Sequence, residues 1–196
     1  MLMHRNADDL LAYVSADNRA ALYRCRWSQP DAEDIVPALA QLLHASDRTI
    51  VVQALNALHC IGPAARASIP NAIPLLDHPD TVVREAAITT LAQVGLDTPA
   101  GVLPHLLAAS ARPEHLVTLL FAFINLATPS PEALPFVCQA FEHPKGHVRR
   151  LALRALAATN APNSVLAPIL QRANSDPNAD VRSTAARLSQ RSPTAT

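Results

Sequence analysis

The sequence predicts an all-α fold, a right-handed α-solenoid of about five helical hairpins behind an N-terminal helical cap. Three observations predict it. The 196-residue chain is similar to itself at a period of about 33 residues, and a period of 20 to 50 residues marks stacked repeats before any single motif does. Its composition is 49% hydrophobic with only four glycines, alanine and leucine dominating, which favours helices. Its 17 prolines are spread along the whole chain and punctuate those helices rather than forming one linker.

Taken in order, residues 1–29 read as the cap. They hold two short helical stretches, LLAYVS and NRAALYRCRW, that fall outside the 33-residue frame, as terminal repeats do. Residues 30–190 read as the array, in units of about 31–62, 67–95, 100–128, 131–160 and 163–190, and residues 191–196 as a disordered tail, the whole forming one continuous domain. Each unit opens with a proline-bearing helix: IVPALAQLL, SIPNAIPLL, VLPHLLAA, ALPFVCQAF and LAPILQRA. Their prolines, Pro37, Pro70, Pro104, Pro135 and Pro168, lie 33, 34, 31 and 33 residues apart. A proline near a helix start gives up a donor that has no partner there anyway.

The second helices carry the clearest match. Asp47 to Gly62 aligns with Asp80 to Gly95 at an offset of 33, pairing Leu55 with Ile88 and Leu58 with Leu91. Another 33 residues lead to Leu116, Leu120, Ile124 and Ala127, a further 32 to Val148, Ala152 and Leu156, and Val181 and Ala185 continue the series. Asp47, Asp80 and Asp180 are placed to cap these helices. Gly62 and Gly95 are placed to close them in the left-handed conformation. A single hairpin cannot bury its apolar stripe alone, so the units must stack.

Ile69 to Gly95 and Leu134 to Asn160 resemble HEAT repeats, whose hallmark is a proline in the first helix and Asp, Val and Arg at the start of the second. The resemblance covers roughly residues 31–190. Arg84, Arg149 and Arg182 fill the arginine position and are expected to make structural hydrogen bonds, whereas Val51 and Val117 replace it in the first and third units. The third unit is the most divergent, with Phe121 and Phe123, the latter aligned with Ala57, Thr90 and Ala155. The family serves as scaffolds in many unrelated systems, so the resemblance implies a fold more than a function.

The residues exclude several classes of function. There is no phosphate-binding glycine loop, no G-x-S-x-G, no H-E-x-x-H and no C-x-x-C, so no catalytic, cofactor-binding or metal-ligating residue is nominated. His143 and His147 are separated by Pro144 and Gly146, which break the helix that would aim them together. Cys25, Cys60 and Cys138 are odd in number and far apart, fitting buried or half-buried free thiols. No stretch approaches the roughly 18 apolar residues of a membrane span, and a cytoplasmic protein is expected. The arginine-rich, lysine-poor composition suggests a bacterial source.

Charge is neutral overall but polarised. Residues 1–144 carry eight arginines against 14 acids, and residues 145–196 carry Lys145 and seven arginines against Asp176 and Asp180. In HEAT-like solenoids the second helices line the concave side. With Val83, Ala87, Leu91 and Val94 facing the core, Glu85, Thr89 and Ala92 face out. The first outward row then reads Val52, Glu85, Thr118, Arg150, Ser183, and the second Asn56, Thr89, Ala122, Arg154, Arg187. Arginine fills the C-terminal end, and Arg150, Arg154 and Arg187 are expected to form a cationic patch able to fork onto carboxylates or phosphates. In the cap, Arg19, Tyr23, Arg26 and Trp27 share one helical stripe of the residue types that dominate interface hot spots.

The expected function is therefore a non-catalytic protein-binding scaffold: an adaptor, an assembly factor or an immunity-type inhibitor. It would act as a monomer or 1:1 heterocomplex on a protein with an acidic patch, without cofactor or membrane. The alternative is nucleic-acid binding through the basic C-terminal repeats, including the chemistry of the HEAT-like DNA glycosylases; a resemblance to bilin lyases of the same architecture is a lesser alternative.

Overall fold

The computed structural model describes residues 29–126 and 131–191, with side chains for residues 35–126 and 131–190. Every regular element among them is helical. In chain order these are α1 (Gln29–Leu42), α2 (Arg48–Ile61), α3 (Ile69–Ala72) between two 3₁₀ segments (Gly62–Ser68 and Ile73–Asp77), and α4 (Thr81–Val94). They continue with α5 (Pro99–Ala109), α6 (Leu116–Leu126), α7 (Leu134–Phe141), α8 (Gly146–Ala158), α9 (Asn163–Asn174) and α10 (Ala179–Arg191). None of the described helices is long and apolar enough to cross a membrane. The cap proposed for residues 1–29, with Cys25, lies almost wholly outside the described residues.

The chain divides into two compact blocks, residues 1–109 and 110–196. In the first, α2 packs on α4, and α1 and the 62–77 segment pack around them. Leu39, Leu55, Leu58, Ile88, Leu91 and Leu106 are fully buried there. In the second, α8 packs on both α6 and α10, with α7 and α9 alongside. Its core holds Leu119, Leu120, Phe123, Leu153 and Leu156. Second helices thus stack on second helices, the arrangement of an α-solenoid.

The register of the third hairpin differs from the sequence expectation. The buried set of α4, Ala87, Ile88, Thr90, Leu91 and Val94, recurs as Leu119, Leu120, Ala122, Phe123 and Leu126, an offset of 32 rather than 33. It recurs in the fourth as Ala152, Leu153, Ala155 and Leu156, with Thr159 behind them. The order of the two spacings is therefore 32 then 33. Phe123 is the counterpart of Leu91 and not of Thr90, and it packs edge-on against Phe136 of α7 with ring centroids 5.8 Å apart. His115, 0% exposed, occupies the place of the core residue Val83. Leu116, not Val117, stands where the second, fourth and fifth hairpins carry arginine.

Two residues assigned to the outward face are buried for related reasons. Ala122 belongs to the core set just described, and Ala92 is 0% exposed. A helix packed against its neighbours presents only a narrow solvent stripe, so small residues at its flanks are covered.

Arginine locks the turns as the hallmark position requires. Arg84 donates from Nη1 to the carbonyls of His78 and Pro79, both at 2.8 Å. Arg149 does the same to His143 and Pro144, and Arg182 to Asp176 and Pro177. Each reaches back five and six residues to carbonyls that a proline-containing turn leaves without helical partners. The residue before each proline completes the turn: His78 Nδ1 accepts from the Asp80 amide, His143 Nδ1 from Lys145 and Asp176 Oδ1 from Asn178. His143 is thus engaged in a turn through Nδ1.

The helix ends agree with expectation in part. Asp47 and Asp80 cap α2 and α4 by accepting from Thr49 and Val82. In α10, however, Asn178 accepts from the Asp180 and Val181 amides; the helix begins two residues earlier than expected and leaves Asp180 in its first turn. Gly62 has φ +70°, the left-handed region that favours glycine. Gly95 does not, at φ −83°. Its role is close approach, since an added Cβ would come within 2.5 Å of Val102 Cγ2 and 2.8 Å of the Leu91 carbonyl. Asn160, at φ 49°, closes the end of α8 in the left-handed conformation that asparagine tolerates best after glycine.

The prolines also sit differently from expectation. Pro37, Pro104 and Pro168 lie inside α1, α5 and α9, because those helices begin further upstream than the apolar pattern suggests. All three rings are exposed, so the carbonyls deprived of a donor can be hydrated. Between α2 and α4, Pro63, Pro70 and Pro74 each remove a backbone donor. The first helix expected there is instead two 3₁₀ segments around a four-residue α3. Cys60 is exposed rather than buried, and Cys138 is half-buried, its thiol pushed above the ordinary value by desolvation.

Candidate functional site

The described arginines of the C-terminal segment divide into two groups. Arg149 forks onto the Asp176 carboxylate through Nε and Nη2, at 2.8 and 2.7 Å, and holds its carboxyl below the usual range. Arg172 pairs with Glu142 at 2.8 Å and lies 5.5 Å from the Phe141 ring centroid. Arg182 is bound to turn carbonyls. These three are occupied by the fold. Arg150, Arg154 and Arg187 are not.

Arg150 and Arg154 sit one turn apart on α8, and Arg187 sits on α10, which packs against it. Arg154 and Arg187 are exposed and Arg150 is half-buried. Among the described residues no carboxylate lies within ion-pair distance of any of them. The Nε of Arg150 is shielded from solvent and has no acceptor, an arrangement that costs about 1–3 kcal/mol for a buried donor. Arg187 makes only a long contact of 3.4 Å from Nη2 to Thr184 Oγ1. Between the two helices runs a groove of about 460 Å³ lined by Arg154, Thr184, Arg187, Leu188 and Gln190. Cationic forks beside a shallow, half-apolar floor suit an anionic, extended ligand better than a small enclosed one.

The corrected register adds one residue that the sequence reading placed elsewhere. With an offset of 32, the outward position of Thr89 in α4 corresponds to Phe121 in α6, not to Ala122. Phe121 is 44% exposed, one of two large hydrophobic residues exposed among the described residues. In the second block the outward row therefore reads Phe121, Arg154, Arg187, and the row beside it Val117, Arg150, Ser183.

The remaining nominated residues fall in the first block or beyond the described region. Glu85, Thr89 and Asn56 are half-buried. The Thr89 hydroxyl donates back to its own helix at Glu85 and Ala86, which engages its one donor, and its carbonyl accepts from His59 Nδ1 at 3.2 Å. Arg19, Tyr23, Arg26 and Trp27 lie outside the described residues. No group of three or more metal-ligating side chains occurs among the described residues.

Comparison with known proteins matches this architecture. A search of curated proteins finds no match. Among solved structures the chain is similar to two engineered proteins, at 18% and 19% identity with TM-scores of 0.66 and 0.64, covering 96% of this chain and 92% and 94% of theirs. It is also similar to computationally designed armadillo repeat proteins for modular peptide recognition, at 15% identity and a TM-score of 0.64, covering 94% of each chain. At these identities the likeness concerns the fold. The sequence profile of HEAT repeats matches residues 36–121 and again 103–189. The chain belongs to the HEAT-repeat family.

Proposed function

We propose that this protein is a non-catalytic scaffold that holds a protein partner through the arginine row of α8 and α10. The observation that carries the reading is the contrast among the C-terminal arginines: three are tied into turns and ion pairs, whereas Arg150, Arg154 and Arg187 stay without a carboxylate beside a groove. A partner with an acidic segment supplies what they lack, and forked arginine–carboxylate pairs fix its register and select it over other partners. The designed armadillo proteins of similar fold, made for peptide recognition, support protein partners in general. An adaptor, an assembly factor and an immunity-type inhibitor would all use such a surface, in a cytoplasmic monomer or 1:1 heterocomplex. Five hairpins over residues 30–190 and an N-terminal cap are the organisation we assign to it. Arg19, Tyr23, Arg26 and Trp27 of the cap form a second contact in this reading.

Affinity purification of the tagged chain from its host lysate, with and without nuclease, tests it. A stoichiometric protein that survives nuclease and is lost with Arg150→Glu/Arg154→Glu supports the reading. Recovery that vanishes with nuclease sinks it in favour of nucleic acid, whose binding would also fall steeply with salt.

A further inference from the structure

We infer that the outward row of the second block reads a linear peptide motif with one apolar residue and two acidic residues at intervals of three, held in an extended, polyproline-like conformation. The inference rests on the scaffold reading above and specifies its ligand.

Phe121, Arg154 and Arg187 occupy equivalent positions on α6, α8 and α10, and each of these helices packs on the next. Packed helices lie about 8–10 Å apart, so the row offers an aromatic, a guanidinium and a second guanidinium at that interval. A polyproline II strand advances about 9 Å per turn and returns a side chain to the same face every third residue. The two periods coincide. A β-strand, whose side chains alternate, puts residues three apart on opposite faces, so it matches the row less well.

Chemistry then assigns the positions. An exposed aromatic takes an apolar side chain or a proline ring, and each arginine with no internal carboxylate takes one acid. The groove beside Arg154 and Arg187, floored by Leu188 and edged by Thr184 and Gln190, has room for the spacer residues. Arg150, one turn from Arg154, reinforces the central acid. A single-stranded nucleic acid would meet the same arginines and stack a base on Phe121, so the nuclease arm of the purification above separates it from a peptide.

The test uses the full chain and fluorescein-labelled seven-residue peptides carrying Phe, Glu and Glu at their first, fourth and seventh positions on proline spacers, in both chain directions, read by fluorescence anisotropy. One direction is expected to bind. Phe121→Ser and Arg154→Glu should each weaken it about tenfold, the order expected of a hot-spot side chain, with helical circular dichroism unchanged. A peptide with its acids moved to the third and fifth positions should lose binding, and a lysine-for-glutamate peptide should bind only the Arg154→Glu/Arg187→Glu chain. The inference is overturned if neither direction binds below roughly 1 mM, or if affinity is indifferent to Phe121→Ser or to the spacing. A cellular partner that depends on Arg154 but not on Phe121 would overturn this motif alone and leave the scaffold reading in place.

Discussion

Removing the Asp176 carboxylate should loosen the C-terminal end of the chain by an amount that can be worked from its contacts. The Asp176 side chain is 6% exposed and that of Arg149 13%. The carboxylate accepts three donors, Arg149 Nε and Nη2 and the Asn178 amide, at 2.7–2.8 Å. Truncating one partner of a deeply buried pair costs about 3–5 kcal/mol. This pair lies near the surface, where water can rehydrate the freed guanidinium, so Asp176→Ala should cost about 3 kcal/mol, the low end of that range. For a chain of this size that corresponds to roughly 9 °C in Tm. Urea unfolding followed by circular dichroism measures it. A cycle with Arg149→Met isolates the pair, whose coupling should reach about 2 kcal/mol. Stability in repeat proteins is local, so hydrogen exchange should rise first in α9 and α10.

The same pair fixes a pH dependence. Hydrogen bonding from Arg149 holds the Asp176 carboxyl below its ordinary value of 3.8, so its contribution is complete above that value. It is lost as pH falls through the lower folded-state value. The gap between wild type and Asp176→Ala should therefore be constant near neutrality and close only in strong acid. A coupling under about 0.5 kcal/mol, or a gap that closes already between pH 5 and 7, values well above a carboxylate's range, would refute this account.

Other outcomes can be checked independently. Leu91→Asp places a charge at a position 1% exposed and should unfold or aggregate the chain, since an unpaired buried charge costs several kcal/mol, about 3 or more; retained thermal stability would contradict the burial of α4. Gly95→Ala should cost about 1–3 kcal/mol through overpacking against Val102, measured by urea midpoint, whereas Gly101→Ala, with nothing within 4 Å of the added Cβ, should leave the midpoint unchanged or raised. Arg150→Glu with Arg154→Glu should weaken partner binding while leaving the helical circular dichroism intact. Unchanged affinity would remove the arginine row from the argument.

The helical-hairpin fold was legible because it repeats. Apolar positions recurring at Leu55, Ile88, Leu153 and their neighbours reveal both helix and period, and the turn arginines are visible because three hairpins share them. The third hairpin misled for a definite reason. With His115 in the place of a core valine and Leu116 beside it, an apolar pattern prefers Leu116, and a shift of one residue rotates the helix by about 100°. That rotation hid Phe121 from the outward face and put Ala122 there. The signal that finds it is the spacing of alanine and large residues, since Ala122 fits the small buried position of Thr90 and Ala155. The prolines misled because ring position reports where a donor is missing, not where a helix begins. The arginine row was legible from charge asymmetry alone, but which arginines the fold consumes depends on contacts between hairpins that no local pattern encodes.

The two kinds of arginine contact differ in how portable they make a hairpin. Arg84, Arg149 and Arg182 each fasten a turn belonging to their own hairpin, so a duplicated or transplanted copy carries its lock with it. The fork from Arg149 to Asp176 joins one hairpin to the next and is lost when either neighbour changes. Copying a hairpin such as the second, whose turn Arg84 closes from within, should thus lengthen the array at little cost. Insertion between the fourth and fifth would have to restore an acid opposite Arg149, and insertion between the first and second an acid opposite Arg48, which pairs with Asp80 at 2.6 Å, so those two junctions resist growth.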